Sequence, residues 1–454
     1  MMNSMNTMNT FNSSLRRFAA ILGLAGGLSL AAAAHAQSYA MFPKDALPMI
    51  QRSVLPADTE GRMGEIGYDP VSQCMYFAAH GANALYVLDP PGMNTIQSIK
   101  DVSEPNGIAI AKDLRRLFLT CGDGSVKFYS IDEAKGPAPV PGQKPTADYE
   151  PAGKLTLIKS FSLAGEADGV RYDPTMKHLY VAHGKFVSWI DPTSFGAPVA
   201  AANANGEANP ADAWWNAIGA DATELYRLSQ QKASPDEIRK LTATLLKHAT
   251  SEPAAAAKPA GAAGGEAKFV RLEMPGPVKG IAVSPDGTHL YANIPSLSQV
   301  VVIDTGKWAI DSTWTLKDAG GNYPITTDDT GNLLFVGCRQ PSAVLILDAN
   351  NGSEKGRYTI ENDDATDIWW DAHGRRIYVS AGNGNGTVSM IREQNGNWAT
   401  EHNIPTAPGA RTSILIPERG RFLVTAPKIT YPPFVCIYRI PGPGEHHDYI
   451  PAEH

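Results

Sequence analysis

Gly280-Ile281-Ala282-Val283-Ser284-Pro285-Asp286-Gly287, His289-Leu290-Tyr291-Ala292-Asn293 and Val300-Val301-Val302-Ile303-Asp304 follow one another with only short polar turns between them. Each run is apolar, rich in β-branched and aromatic residues, and bounded by Pro, Gly, Asp or Ser, which is the signature of a strand. The same triplet recurs as Gly169-Val170-Arg171-Tyr172-Asp173-Pro174, His178-Leu179-Tyr180-Val181-Ala182 and Phe186-Val187-Ser188-Trp189-Ile190-Asp191. A unit of about 40 residues built only of strands cannot bury both faces of its sheet alone. Copies must stack around an axis, which makes this chain an all-β propeller.

Seven copies can be counted from their first strands, at 66–69, 108–111, 170–173, 281–284, 325–328, 368–371 and 414–417. Fourth strands are harder to place; 154–161, 268–272 and 398–403 are the candidates. The seventh unit has none, because Pro441-Gly442-Pro443-Gly444 follows its third strand. Residues 48–55, a spare strand-like segment, are expected to fill that place and close the ring, since an open edge invites aggregation. Two insertions interrupt the pattern. Residues 131–152 are Pro-rich; residues 193–267, in blade three, carry helix signals, including Ser234-Pro235-Asp236-Glu237, and an Ala/Gly/Pro tether. Both fall between a third and a fourth strand, so antiparallel alternation puts them on the same face of the ring.

The ends of the chain bear on its location. Arg16 and Arg17, a small apolar stretch over residues 18–34 and Ala34-His35-Ala36 read as a secretory signal over residues 1–36, with the exported chain starting at Gln37. The propeller then occupies residues 37–444, and residues 445–454 form a polar tail. A periplasmic or secreted protein with no membrane span in its mature chain is expected. Removing Arg16 and Arg17, the only charged residues of the signal, takes the net charge from −7 to −9, which disfavours nucleic acid as a partner. Export permits disulfides among Cys74, Cys121, Cys338 and Cys436, but their wide spacing and strand placement suit buried free thiols.

First strands begin, and second strands end, on one face. The residues just ahead of the first strands are Glu65, Asn106, Asp168, Lys279, Tyr323, Asp367 and Arg411. Of these, Glu65, Asp168, Lys279, Asp367 and Arg411 form the candidate ligand-binding set, because charges crowded at a channel mouth focus a field. Arg411 suits a two-pronged grip on a carboxylate or phosphate; the plainer reading is an ion pair with Asp367. A second ring follows the second strands: His80, Cys121, His183, Asn293, Arg339, Asn383 and Lys428. His80, Cys121 and His183 are of metal-ligand type and occupy equivalent turns on successive blades, yet metal ligands must converge to about 2.0–2.3 Å from one ion. No nucleophile elbow, phosphate loop, zinc-protease string or haem-attachment string is present, so neither a catalytic residue nor a cofactor is assigned.

Leu179-Tyr180-Val181-Ala182, Leu290-Tyr291-Ala292-Asn293, Ile377-Tyr378-Val379-Ser380 and the segment Ile404-Pro405-Thr406-Ala407-Pro408-Gly409-Ala410-Arg411-Thr412-Ser413 resemble the exported YVTN-repeat (YncE-like) bacterial propellers over roughly residues 48–440. The resemblance implies the fold and export, and no particular activity. Two functions stand open. One is a scaffold that binds a small anionic or metal-containing ligand, or a protein partner, at the channel mouth or the inserted face. The other is an enzyme, hydrolase- or lactonase-like or redox-associated, acting on a small anionic substrate. The tether in the longer insertion generates a first prediction. Limited proteolysis should cut first within residues 253–265; cleavage of the core strands before that tether would show the insertion to be docked.

Overall fold

The computed structural model describes residues 47–89, 93–136, 149–163, 165–193, 269–429 and 432–440, together with 234, 237, 240 and 242–244. Residues Met49–Gly444 make one compact unit. The expected signal over residues 1–36 and the tail over residues 445–454 lie outside the described residues.

Seven antiparallel four-stranded sheets form a seven-bladed β-propeller. Their innermost strands, in chain order, are β2 (Ile66–Tyr68), β6 (Pro105–Ala111), β10 (Ala167–Asp173), β14 (Ile281–Val283), β18 (Ile325–Thr327), β22 (Ala365–Asp371) and β26 (Thr412–Ile416). Six blades then run outward in strict sequence order. In the seventh, β26 is followed by β27 (Arg421–Ala426) and β28 (Phe434–Arg439), and the outermost strand is β1 (Met49–Val54) from the other end of the chain. Its register runs from Met49 opposite Tyr438 to Val54 opposite Phe434. The Leu55 N–H adds a bond to Pro433 O at 2.8 Å, and the Arg52 guanidinium lies 3.6 Å over the Phe434 ring.

Burial explains which strands were legible. The second and third strands are buried almost throughout, for example Met75–Ala79 and Ala84–Leu88. The outer strands Thr95–Ile99, Ala309–Thr315 and Glu354–Thr359 are exposed or half-buried and largely polar. Only isolated residues such as Ile96, Trp314 and Tyr358 pack inward, so they carry little of the two-residue alternation that marks a strand.

An Asp at the end of four of the seven first strands, at Asp69, Asp173, Asp328 and Asp371, holds the turn that follows it. Asp69, with no exposure, accepts the Ser72 N–H and hydroxyl at 2.9 and 2.6 Å and both contacts of Arg115 from the next blade. Asp173 accepts the Thr175 N–H at 2.8 Å, and Asp328 that of Leu333 at 2.9 Å. Burial opposes ionisation of Asp69, but its bonds to Ser72 and Arg115 outweigh burial and hold it below the ordinary carboxylate range.

The core lies between blades. Phe77 and Tyr86 of the first blade pack with Leu55, Ile414, Leu423 and Val435 of the seventh. Comparable clusters join each of the next neighbours in turn, up to the fifth and sixth blades. All four cysteines are buried and free. The longer insertion joins β12 (Phe186–Ile190) to β13 (Phe269–Glu273). Within it the Ser234 hydroxyl accepts the Glu237 N–H at 3.3 Å and the Ser234 N–H donates to the Glu237 carboxylate at 3.0 Å, a reciprocal helix cap; the tether lies outside the described residues. The Pro-rich insertion is closed at its base by the Lys135–Glu150 bridge.

The pairing of β1 with β28 generates a second prediction. A chain beginning at Ala57 loses that strand and bares β28. Its melting temperature should fall by on the order of 5–10 °C, or the protein should self-associate, as read by calorimetry and light scattering. A soluble monomer with an unchanged melting temperature would remove β1 from the closure.

Candidate functional site

Glu65, Asn106, Asp168, Lys279, Tyr323, Asp367 and Arg411, far apart in sequence, line a single cavity of about 510 Å³ on the propeller axis. The inner strands approach closely enough for this because small residues stand beside the ring positions. A Cβ on Gly280 would lie 2.1 Å from Tyr323 O, and one on Gly107 would lie 2.5 Å from Asp168 O. No other residue fits those contacts.

The ring is knitted by bonds that cross from blade to blade. Glu65 accepts Arg171 Nη1 at 2.9 Å through one oxygen and the Ile108 N–H at 2.9 Å through the other. Lys279 Nζ pairs with Asp168 at 3.0 Å and with Glu166 at 3.5 Å. Burial disfavours the Lys279 ammonium, but Asp168 and Glu166 outweigh that and raise its pKa above the ordinary lysine value. Arg411 pairs with Asp364 at 2.6 Å, and Arg339 reaches the same carboxylate at 3.3 Å. Arg339 also donates to Ala365 O at 2.9 Å and stands 4.3 Å over the Tyr323 ring. The ion pair expected between Arg411 and Asp367 is therefore made with Asp364 instead. Asp367 turns its Oδ2 to the Ser413 N–H at 2.6 Å.

Asp367 is the unusual group. Enclosure in the channel, reinforced by the nearby Glu65 carboxylate, pushes it up to about 7, against the opposing pull of the Ser413 N–H, Arg171 and Arg411. Arg171 was not singled out from sequence. Its signal was a charge in the middle of Val170-Arg171-Tyr172, an otherwise apolar strand. Arg62 and Asp364 lie ahead of the repeat and carry no such mark. Arg62 is exposed, lines the cavity and donates to Asn106 Oδ1 at 2.7 Å. It forms no ion pair with a carboxylate among the described residues.

The second ring behaves differently: of its seven members only Arg339 lines the cavity. His80 bonds Asn106 Oδ1 through Nδ1 at 2.8 Å, and burial and Arg62 lower its pKa. Cys121 is fully buried, which pushes its thiol up to about 12. His183 is buried with Nε2 at 2.8 Å from Ser188 Oγ in its own hairpin. The structure does not bring these three together, and no group of three or more His, Cys, Asp or Glu is placed to hold a metal among the described residues. Equivalent turns on successive blades are displaced around the ring, so equivalence in the repeat is not proximity.

No protein-family model and no curated protein matches the chain. Solved structures with the same architecture include the Myceliophteria thermophila Cps50 (Swd1) β-propeller domain, with 10% identity and a TM-score of 0.54 over 87% of this chain and 100% of that one. A chain of a mitotic checkpoint complex shares 12% identity at a TM-score of 0.55, covering 86% of this chain and 91% of that one. A chain of Kuenenia stuttgartiensis hydrazine synthase shares 11% at a TM-score of 0.57, covering 84% and 96%. At these identities the likeness is one of fold.

Asp367 generates a third prediction. Its folded pKa lies above the unfolded value of 3.8, so the folded state holds the proton longer. Stability is greatest where both states are protonated and falls as pH rises from about 4 to about 7. Asp367→Asn abolishes that fall and should gain on the order of 4 kcal/mol relative to the parent between about pH 4 and about pH 8. Denaturant unfolding at the two pH values measures it; parallel profiles for the two proteins would place Asp367 in an ordinary aqueous setting.

Proposed function

We propose that this chain is an exported propeller scaffold of the YVTN-repeat kind, working in the periplasm or outside the cell, and that its channel mouth binds a small anionic ligand. The observation that carries the reading is the convergence of Arg62, Lys279, Arg339 and Arg411 on one cavity large enough for a small molecule. Arg171 adds a fifth cation to the wall, against Glu65, Asp168 and Asp367. Glu166 and Asp364, behind these cations, bring the group close to balance, and protonation of Asp367 tips it positive. That concentration of cations stands out in a chain whose net charge is −7. It favours an anion at the mouth and disfavours a polyanion spread over the surface. No helix among the described residues is long and apolar enough to cross a membrane. A protein partner on either face is a compatible second role, since similar propellers occur in a protein complex.

The fourth prediction tests this reading. A thermal-shift panel of small carboxylates, phosphate, sulfate, metal ions and haem should raise the melting temperature with the anions. Arg411→Ala should then weaken the best anion by about 1.5–3 kcal/mol, the usual range for a hydrogen bond to a charged group, as read by calorimetry. Unchanged affinity would remove Arg411 from the site. Conversion of a bound compound during the assay would favour the enzyme.

A further inference from the structure

The channel wall is mixed in character. Arg62, Lys279, Arg339 and Arg411 line it. Glu65, Arg171 and Asp367 interact with one another within it. The same lining includes apolar and aromatic groups, among them Tyr68, Ile110, Tyr172, Val283 and Trp369. Trp369 stands two residues after Asp367 on β22, hence on the same side of the strand. Its indole is fixed by a bond from Nε1 to Ser413 Oγ at 3.2 Å.

Two carboxyl groups of this wall stand in different company. Both Glu65 oxygens are engaged, one by Arg171 and one by the Ile108 N–H. In Asp367 only Oδ2 has a bond, from Ser413 N–H; Oδ1 has none among the described residues and is not sealed in the interior. In Arg411 only Nη1 is bonded, to Asp364. An unengaged carboxyl oxygen thus stands near a guanidinium that retains donors. A carboxylic acid O–H and a guanidinium offer donors to the same incoming carboxylate, whereas an ionised Asp367 would repel it.

We propose that the channel takes a small ring-bearing carboxylate together with one proton. The carboxylate is held by Arg411 and a protonated Asp367, and the ring lies against Trp369 and the apolar wall. The proposal rests on the anion-binding reading above and deepens it. The proton resides on Asp367 Oδ1 and is donated to a ligand oxygen as a hydrogen bond; no bond to carbon forms or breaks. The charged or titratable groups that face Asp367 from the neighbouring elements are Glu65 ahead of β2, Arg171 on β10, Tyr323 ahead of β18, Arg339 on β19 (Leu333–Arg339) and Arg411 ahead of β26. The arginines keep their charge throughout the neutral range, and burial raises the Tyr323 pKa further. His80, at the rim, has its pKa lowered, so it is already neutral where Asp367 titrates.

The test is calorimetric titration of the full chain with benzoate, and separately with inorganic phosphate, across roughly pH 5.5–8.5, in pairs of buffers with different ionisation heats. Benzoate affinity should be flat below about pH 7 and fall roughly tenfold per pH unit above it, with uptake approaching about one proton per benzoate. Asp367→Asn should bind benzoate with little pH dependence and no proton uptake; the uptake measured on the unaltered protein stands whether or not that variant folds. Benzoate bound equally at both ends of the range, without proton uptake, overturns the proton linkage. Phosphate bound in an Arg411-dependent manner while benzoate is not overturns the ring-carboxylate assignment and leaves the anion site standing. Binding of neither, with no response from any anion in the thermal panel, overturns both readings.

Discussion

Every blade of this protein needs its neighbours. A four-stranded sheet has two apolar faces, and here each is buried only against the next sheet, so the clusters of buried Leu, Ile, Val, Phe and Tyr lie across blade boundaries. The constraint is circular: the first blade is complete only when the seventh packs on it. Phe77 and Tyr86, both with no exposure, are covered in a cluster that draws on Ile414, Leu423 and Val435. Fully burying one such side chain is worth about 1.5–3 kcal/mol, so the joint between the two ends of the ring is a large part of what makes it one cooperative object. Donation of β1 to β28 adds a backbone ladder to that joint and covers an edge that would otherwise stay open.

The candidate site is a by-product of the same closure. Seven inner strands start around one axis, and whatever stands ahead of each must face the others. Polar residues there are partly desolvated, as Lys279 and Asp367 show. They also feel one another: Asp168 and Glu166 favour the charged form of Lys279, Arg171 pairs with Glu65, and burial, reinforced by Glu65, raises the pKa of Asp367. A single displaced partner would redistribute these charges. The chemistry of the mouth is therefore a property of the ring and of no single blade.

Much of this was legible in the sequence, for stated reasons. Strands buried on both faces read as continuous apolar runs, and the terminal Asp of four first strands recurs because its carboxylate satisfies N–H groups of the turn that follows. The positions ahead of the first strands followed from counting, and all seven line the cavity. Exposed outer strands such as Thr95–Ile99 and Glu354–Thr359 left little pattern to read. The partners inside the ring also escaped. Asp364 takes Arg411 and Arg339, and Arg171 crosses to Glu65, because side-chain reach, rather than spacing along the chain, selects them. His80, Cys121 and His183 share a repeat position and no common site: His80 bonds Asn106 of the next blade, Cys121 is buried, and His183 bonds Ser188 in its own hairpin.

By itself, then, the sequence determined the repeat, the number of blades and the list of residues that would stand at the channel mouth. These follow from hydrophobic periodicity and turn chemistry, which are local. Only the tertiary structure decided which of those charges meet, that Arg411 answers to Asp364, and that enclosure raises the pKa of Asp367. Those outcomes depend on distances across the axis between strands more than three hundred residues apart at the extremes (Glu65 and Arg411). Electrostatic energy is set by such distances and by enclosure, and neither exists until the ring has closed.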